Sequence, residues 1–246
     1  TKADILLRNA EIAMIHAKKL GGDRIDVFRP AMRAQRSDKL ALEIDLRDAV
    51  RLNQIEMSYR PIVRLQDRSI SGFEAIAHWS HPKHGRLSQA EFLDISEDPE
   101  LIGALGVHMI ELATKELEGW QKMLDVDPPF FAVLPLNDLL LQRNELVQDV
   151  KFVLSRSSII RGTLRIEVSE RYLADHSEQA VHALNGLVDV GAGLVLGDFG
   201  HGYSSLGYLE RFLFESIKLA RSITRSDSSG VKPAILRSIV TLAHDL

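Results

Sequence analysis

Cysteine is absent from the 246 residues, which excludes disulfides, thiolate metal ligands and a cysteine nucleophile, and agrees with a reducing compartment. Basic charge is not in excess either. Thirty Lys and Arg stand against 34 Asp and Glu, a formal net charge of -4. A protein that binds nucleic acid through its phosphates needs a clustered cationic surplus, so a charge-driven nucleic-acid partner is not expected. No apolar run approaches the about 18 residues of a membrane-crossing helix. The N-terminal stretch carries Asp4 and Glu11 within a helical pattern. A secretory signal would open on basic residues and continue as an unbroken apolar segment, so the cytoplasm is the compartment expected. What is present is the balance of a globular chain, 45% hydrophobic and 26% charged. The length suffices for one or two domains with a sizeable core.

Residues 3–20 place Ile5, Leu6, Ala10, Ile12, Ala13 and Ala17 at helical spacing, and Gly21 and Gly22 stop the helix. Residues 24–28 read as a short strand and 29–37 as a linker. A second helix is predicted over 39–52, with Leu42, Leu46, Ala49 and Val50 on one face. Strand patterns at 55–65 and 69–77, joined by a turn at Asp67 and Arg68, predict a hairpin. From there strands at 130–136, 164–168, 193–196 and 216–219 alternate with helices at 89–95, 102–124, 138–155, 178–190, up to about 211, and 232–245. This beat predicts an α/β fold, a parallel sheet wrapped in helices. Six strands fall short of the eight of a closed (β/α)₈ barrel. The barrel is therefore expected to be open, with its pattern running on past Leu246. Trp79 and Trp120 read as packing residues, and the cluster from His81 to His84, broken by Pro82, as a surface loop.

In such folds chemistry gathers at the C-terminal ends of the strands. Those ends supply Arg60, then Glu74 and His78, then Pro135 and Asn137, then Glu167, Ser169 and Glu170, then Gly197 and Asp198, and finally Lys218. A single carboxylate there more often caps a helix or faces water. Three of them, Glu74, Glu167 and Asp198, on three strands suit a hard cation such as Mg²⁺ or Mn²⁺. A nearby Lys218 can stabilise charge, and the set reads as metal-assisted phosphoryl chemistry. In the loop DFGHGYSS (198–205), Gly200 and Gly202 permit unusual backbone angles, and Ser204 and Ser205 can cap the next helix. Its Asp-Phe-Gly is not a kinase motif, because no Gly-rich nucleotide loop accompanies it.

The segments SYRPIV (58–63), GFEAIAHWSHPKHG (72–85), LRIEVSER (164–171), DFGHGYSSLGYL (198–209) and SIKLARS (216–222) together resemble the EAL-domain family, whose active members are cyclic di-GMP phosphodiesterases. The resemblance spans 39–246. Residues 1–32 resemble the tail of a GGDEF domain, with 33–38 as linker. The family resemblance implies a TIM-like barrel with an antiparallel first strand, and in active members two Mg²⁺ or Mn²⁺ ions that activate water against a phosphodiester. It assigns metal ligation to Glu74, Glu167 and Asp198, and ligand contact to Arg60, Glu74, His78, Asp198 and Lys218. Lys218 is also the remnant of the catalytic set.

Several positions depart from the family pattern. His78 stands for a phosphate-holding Arg, Arg60 for a Gln and Ile76 for a Leu. Pro135 stands for an Asn ligand, with Asn137 two residues on. Gly197 stands for the Asp that bridges both metals, and Ala220 for an Asp. Without the bridging carboxylate two divalent cations would repel each other uncompensated. Hydrolysis of cyclic di-GMP is therefore not expected, nor is a cofactor unless the copy is active. Three functions follow: a non-catalytic cyclic di-GMP receptor, a protein-interaction module that binds no nucleotide, or a weak phosphodiesterase using one metal. A protein partner or a homodimer is expected in each.

Overall fold

A computed structural model describes residues 3–19, 23–96, 98–175, 177–200, 207–224 and 231–245. In chain order the elements are α1 (Ala3–Lys19), α2 (Pro30–Arg51), β1 (Ile55–Val63), β2 (Ile70–His81), β3 (Gly85–Ser88), α3 (Gln89–Leu93), α4 (Pro99–Met123), β4 (Phe131–Pro135), α5 (Asp138–Leu141) and α6 (Leu146–Leu154). Then follow β5 (Leu164–Ser169), α7 (Glu170–Asp175), α8 (Ser177–Val190), β6 (Gly193–Phe199), α9 (Gly207–Arg211), β7 (Ser216–Leu219), α10 (Arg221–Thr224) and α11 (Val231–Asp245).

One sheet orders its strands β1-β2-β4-β5-β6-β7, with β3 attached to β2. β1 runs antiparallel to β2, with Arg60 opposite Glu74, and the later neighbours along the path are parallel. The fold is thus the expected α/β type with an antiparallel first pair. The ring is open: among the described residues β1 and β7 each pair with one strand. The sheet nonetheless curls strongly, because Lys218 on β7 reaches Glu74 on β2 at 2.6 Å with three strands between them.

Successive strand residues point to opposite faces. Ala75, Ala77 and Trp79 of β2, Leu164, Ile166 and Val168 of β5, and Leu194 and Leu196 of β6 are at most 1% exposed in the core that the helices cover. The α4 residues Leu101, Leu105, Met109, Ala113 and Leu117 recur at helical spacing and are all buried against it. Pro99 sits in the first turn of α4, and Asp98 accepts a hydrogen bond from the Glu100 amide at 3.0 Å, so this helix starts where its capping residues stand. The intervening inner-face residues line the concave side of the sheet.

Three expectations are corrected, and one strand is added. The stretch 29–37 is not a linker, because α2 begins at Pro30, a residue preorganised for a first helical position. Residues 24–28 form no strand in the described structure. β3 is an added strand that folds back on β2. The helix expected over 138–155 breaks between α5 and α6. There Arg143 turns back to Asp149 at 2.8 Å, in space left by Gly103, whose Cβ would lie 2.5 Å from the guanidinium. Trp79 is buried as expected, and Trp120 packs on Tyr59 and Phe73. No described helix is long and apolar enough to cross a membrane.

Candidate functional site

The inner face of the sheet brings four charged side chains together. The ammonium of Lys218 (β7) donates to Glu74 Oε1 (β2) at 2.6 Å and to Glu167 (β5) at 2.9 and 3.1 Å. Arg60 (β1) donates from Nη1 to the other oxygen of Glu74 at 2.9 Å. Both carboxylates are largely shielded from solvent, with side chains 13% and 11% exposed. Burial pushes the Glu167 carboxyl above its ordinary range. The Lys218 hydrogen bond pulls it back, and the charges of Glu74 and Asp198 push it further up. Burial disfavours the charged Lys218 as well, but its hydrogen bonds to Glu74 and Glu167 win and hold the ammonium above the usual lysine range. Two carboxylates that would otherwise repel thus share one cation.

At Gly197 (β6) no side chain enters this cluster. A Cβ there would lie 2.5 Å from Glu167 Oε1 and 2.8 Å from its Cγ, so the Glu167 carboxylate fills the room an aspartate would need. Asp198 is exposed, with a left-handed φ of 52°, where the β6–β7 register breaks. It borders the cluster through its charge alone. Pro135 ends β4, and its carbonyl accepts from the Gln89 side-chain amide at 2.7 Å. Asn137, two residues on, lies past the end of β4. It caps α5, its side chain accepting from the Leu140 amide at 3.0 Å. Ala220 is fully buried, and its amide donates to Phe199. His78 faces the concave side but is held at 3.0 Å by Glu56 Oε2, with a side chain only 11% exposed. Among the described residues no group of three His, Asp or Glu side chains is placed to hold a metal ion. The expected caps Ser204 and Ser205 lie outside the described residues.

Some members of the mouth were not singled out from sequence. Glu56 was missed because its role depends on the antiparallel register that sets it opposite His78. Glu170 was noted only as a strand-end residue, yet it is 2% exposed and accepts from the Gly200 amide at 3.0 Å, tying the end of β5 to the end of β6. Arg86 on β3 donates to Ser58 on β1 at 3.4 Å, a contact invisible without knowledge of β3. His81 Nδ1 accepts the Lys83 and His84 amides, and its Nε2 faces Asp45 of α2 at 3.2 Å, so that cluster is a closed turn.

The chain matches the EAL domain family over residues 43–246. Among curated proteins, it is 31% identical over 242 residues to the bifunctional diguanylate cyclase/cyclic di-GMP phosphodiesterase MucR of Pseudomonas aeruginosa, covering 98% of this chain and 35% of MucR. It is 29% identical over 242 residues to the cyclic di-GMP phosphodiesterase NbdA of the same organism, covering 98% of this chain and 31% of NbdA. The chain spans about a third of the length of the curated relatives it matches. Among solved structures, the MucR phosphodiesterase in complex with c-di-GMP superposes with a TM-score of 0.74 at 29% identity, covering 83% of each chain. The EAL enzyme Bd1971, bound to cAMP and cyclic di-GMP, gives 0.75 at 26% identity, covering 100% of this chain and 64% of that one.

Proposed function

The chain belongs to the EAL domain family, and from that premise we propose that it is a cyclic di-GMP receptor whose mouth holds the dinucleotide without hydrolysing it. The observation that carries this reading is Gly197. In the family a bridging aspartate at this position lets two Mg²⁺ or Mn²⁺ ions sit side by side and activate water. Here the position offers no side-chain oxygen, and the space is taken by Glu167. Pro135 offers no donor either, and Glu74 and Glu167 are already paired with Lys218 and Arg60. These residues do not fit a pair of divalent cations, so no hydrolytic step is derived for them.

What remains suits binding. Arg60 and Lys218 are cations with substantial exposure, 60% and 44% of their side chains, on the rim of a concave surface. Charge-assisted hydrogen bonds to phosphate need such donors. The match to MucR, whose solved structure holds c-di-GMP, supports the ligand class. Calorimetric titration with cyclic di-GMP tests the reading. Saturable heat of equal affinity in Mg²⁺ and in EDTA is expected, and silence in both would overturn it.

A second reading, an interaction module without nucleotide, is favoured by one observation: His78, at the family's phosphate-holding position, is engaged by Glu56. That module would act through a protein partner or a second copy. We also read residues 1–32 as the tail of a preceding domain of GGDEF type. They lie before the family match, the relatives align through them, and Ile25 and Val27 are 96% and 76% exposed.

A further inference from the structure

His78 lies between two strands at once. On one side it pairs with Glu56 of β1, and on the other with Ser88 of β3. β1 and β3 therefore flank β2 on opposite edges. Arg86 of β3 pairs with Ser80, and strand parity puts its side chain on the same face as Ser80, His78 and Glu74. Ser58 of β1 pairs with Ile76, on that face too. The hydrogen bond from Arg86 Nη2 to Ser58 Oγ at 3.4 Å therefore requires the Arg86 side chain to cross the concave face of β2, over the level of Ile76 and His78. The guanidinium ends one inner-face step from Arg60, the next residue of that parity on β1.

This arrangement brings a guanidinium over the strand that carries His78. His78 is shielded and bound to Glu56. Arg86 is exposed and, among the described residues, has no carboxylate within ion-pair distance; its one hydrogen bond goes to a neutral serine. Arg60 spends one nitrogen on Glu74 and is otherwise open. A guanidinium has five donors in a fixed fork suited to phosphate oxygens. We propose that Arg86, reaching across β2 to stand beside Arg60, is a phosphate-binding residue of this mouth, in the role that His78, held by Glu56, does not fill. The proposal rests on the reading of the mouth as a dinucleotide site.

The test is binding of fluorescent cyclic di-GMP to the full chain and to Arg86→Ala, Arg86→Lys, Arg60→Ala and, as a control at the far end of β1, Arg64→Ala. Arg86→Ala is expected to weaken binding ten- to hundredfold, the range for a hydrogen bond to a charged group. Arg86→Lys should recover part of that loss, since it keeps the charge and loses the fork. Arg60→Ala should weaken binding in the same direction, and Arg64→Ala should leave it unchanged. Each of these variants alters an exposed or half-exposed side chain, so an unchanged melting temperature checks that the fold is intact. If the wild type binds and Arg86→Ala binds within twofold of it, the proposal is overturned while the receptor reading stands. If the wild type does not bind, both are overturned.

Discussion

Along β5 and β6 the residues that face the helices and those that face the mouth alternate one by one, yet the two sets are constrained differently. Leu164, Ile166, Val168, Leu194 and Leu196 face the helices and are at most 1% exposed. Between them stand Arg165, Glu167, Ser169, Gly193, Val195 and Gly197, which face the concave side. Close packing ties every outward residue to several neighbours, so its size cannot change freely. The inner face also carries charge: Glu167 is buried there, and its contacts are hydrogen bonds from Lys218 as well as packing against Gly197. A carboxylate can be missing at 197 while Leu196 and Phe199 still pack as a strand. The fold rests on one face and the candidate chemistry on the other, so family membership alone does not fix activity.

Substitutions on each face can break or sharpen this contrast. The largest effect is expected from Trp79→Ala on the outer face. Trp79 is 1% exposed, and its removal should cost about 3–5 kcal/mol in denaturant unfolding. A cost under 1 kcal/mol would contradict the packing role. Next comes Gly197→Asp on the inner face. The new side chain meets the Glu167 carboxylate, so the metal-free protein should lose about 1–3 kcal/mol. Mn²⁺ should then raise the melting temperature of this variant by more than it raises that of the wild type.

A smaller change is expected for Lys218→Met. Its removal leaves Glu74 and Glu167 facing each other without their shared cation, and because the lysine is partly exposed the loss should be about 1 kcal/mol. Adding Glu167→Gln to Lys218→Met should restore part of it, a non-additivity that thermal melts of the single and double variants read directly. The smallest effect concerns Glu118, far from the mouth. Hydrogen bonds from Ser158, and then from Lys122, hold its carboxyl at about 2, below its ordinary 4.5. The folded state thus binds fewer protons than the unfolded state between these values. The stability Glu118 contributes is present above pH 4.5 and is lost as pH falls towards 2. Glu118→Gln should flatten the acid limb of a stability–pH curve over that window.

Much of this was legible in the sequence because it depends on local pattern. The strand-then-helix beat placed the strands close to their positions, and the hairpin followed from the turn at Asp67 and Arg68. The strand-end residues Arg60, Glu74, Glu167 and Lys218, chosen from topology alone, do converge. What was not legible depends on register and on crossings between distant strands. β3 is only four residues long, too short for a periodic signal. Glu56 and Arg86 matter because of which residues they oppose across β2, and a linear pattern does not contain that information. Asn137 could be read either as a strand-face residue or as a helix cap. The cap won because its side chain satisfies an otherwise unpaired amide at the start of α5.

The most direct measurement is turnover of cyclic di-GMP by the purified chain with Mg²⁺ and with Mn²⁺, followed by chromatography for the linear dinucleotide. With Gly197 in place of the bridging carboxylate, no product above the protein-free control is expected over hours at saturating substrate. Steady, metal-dependent accumulation of the linear product, abolished by Glu74→Gln, would contradict the account, because it would mean that the residues present do assemble a working metal site.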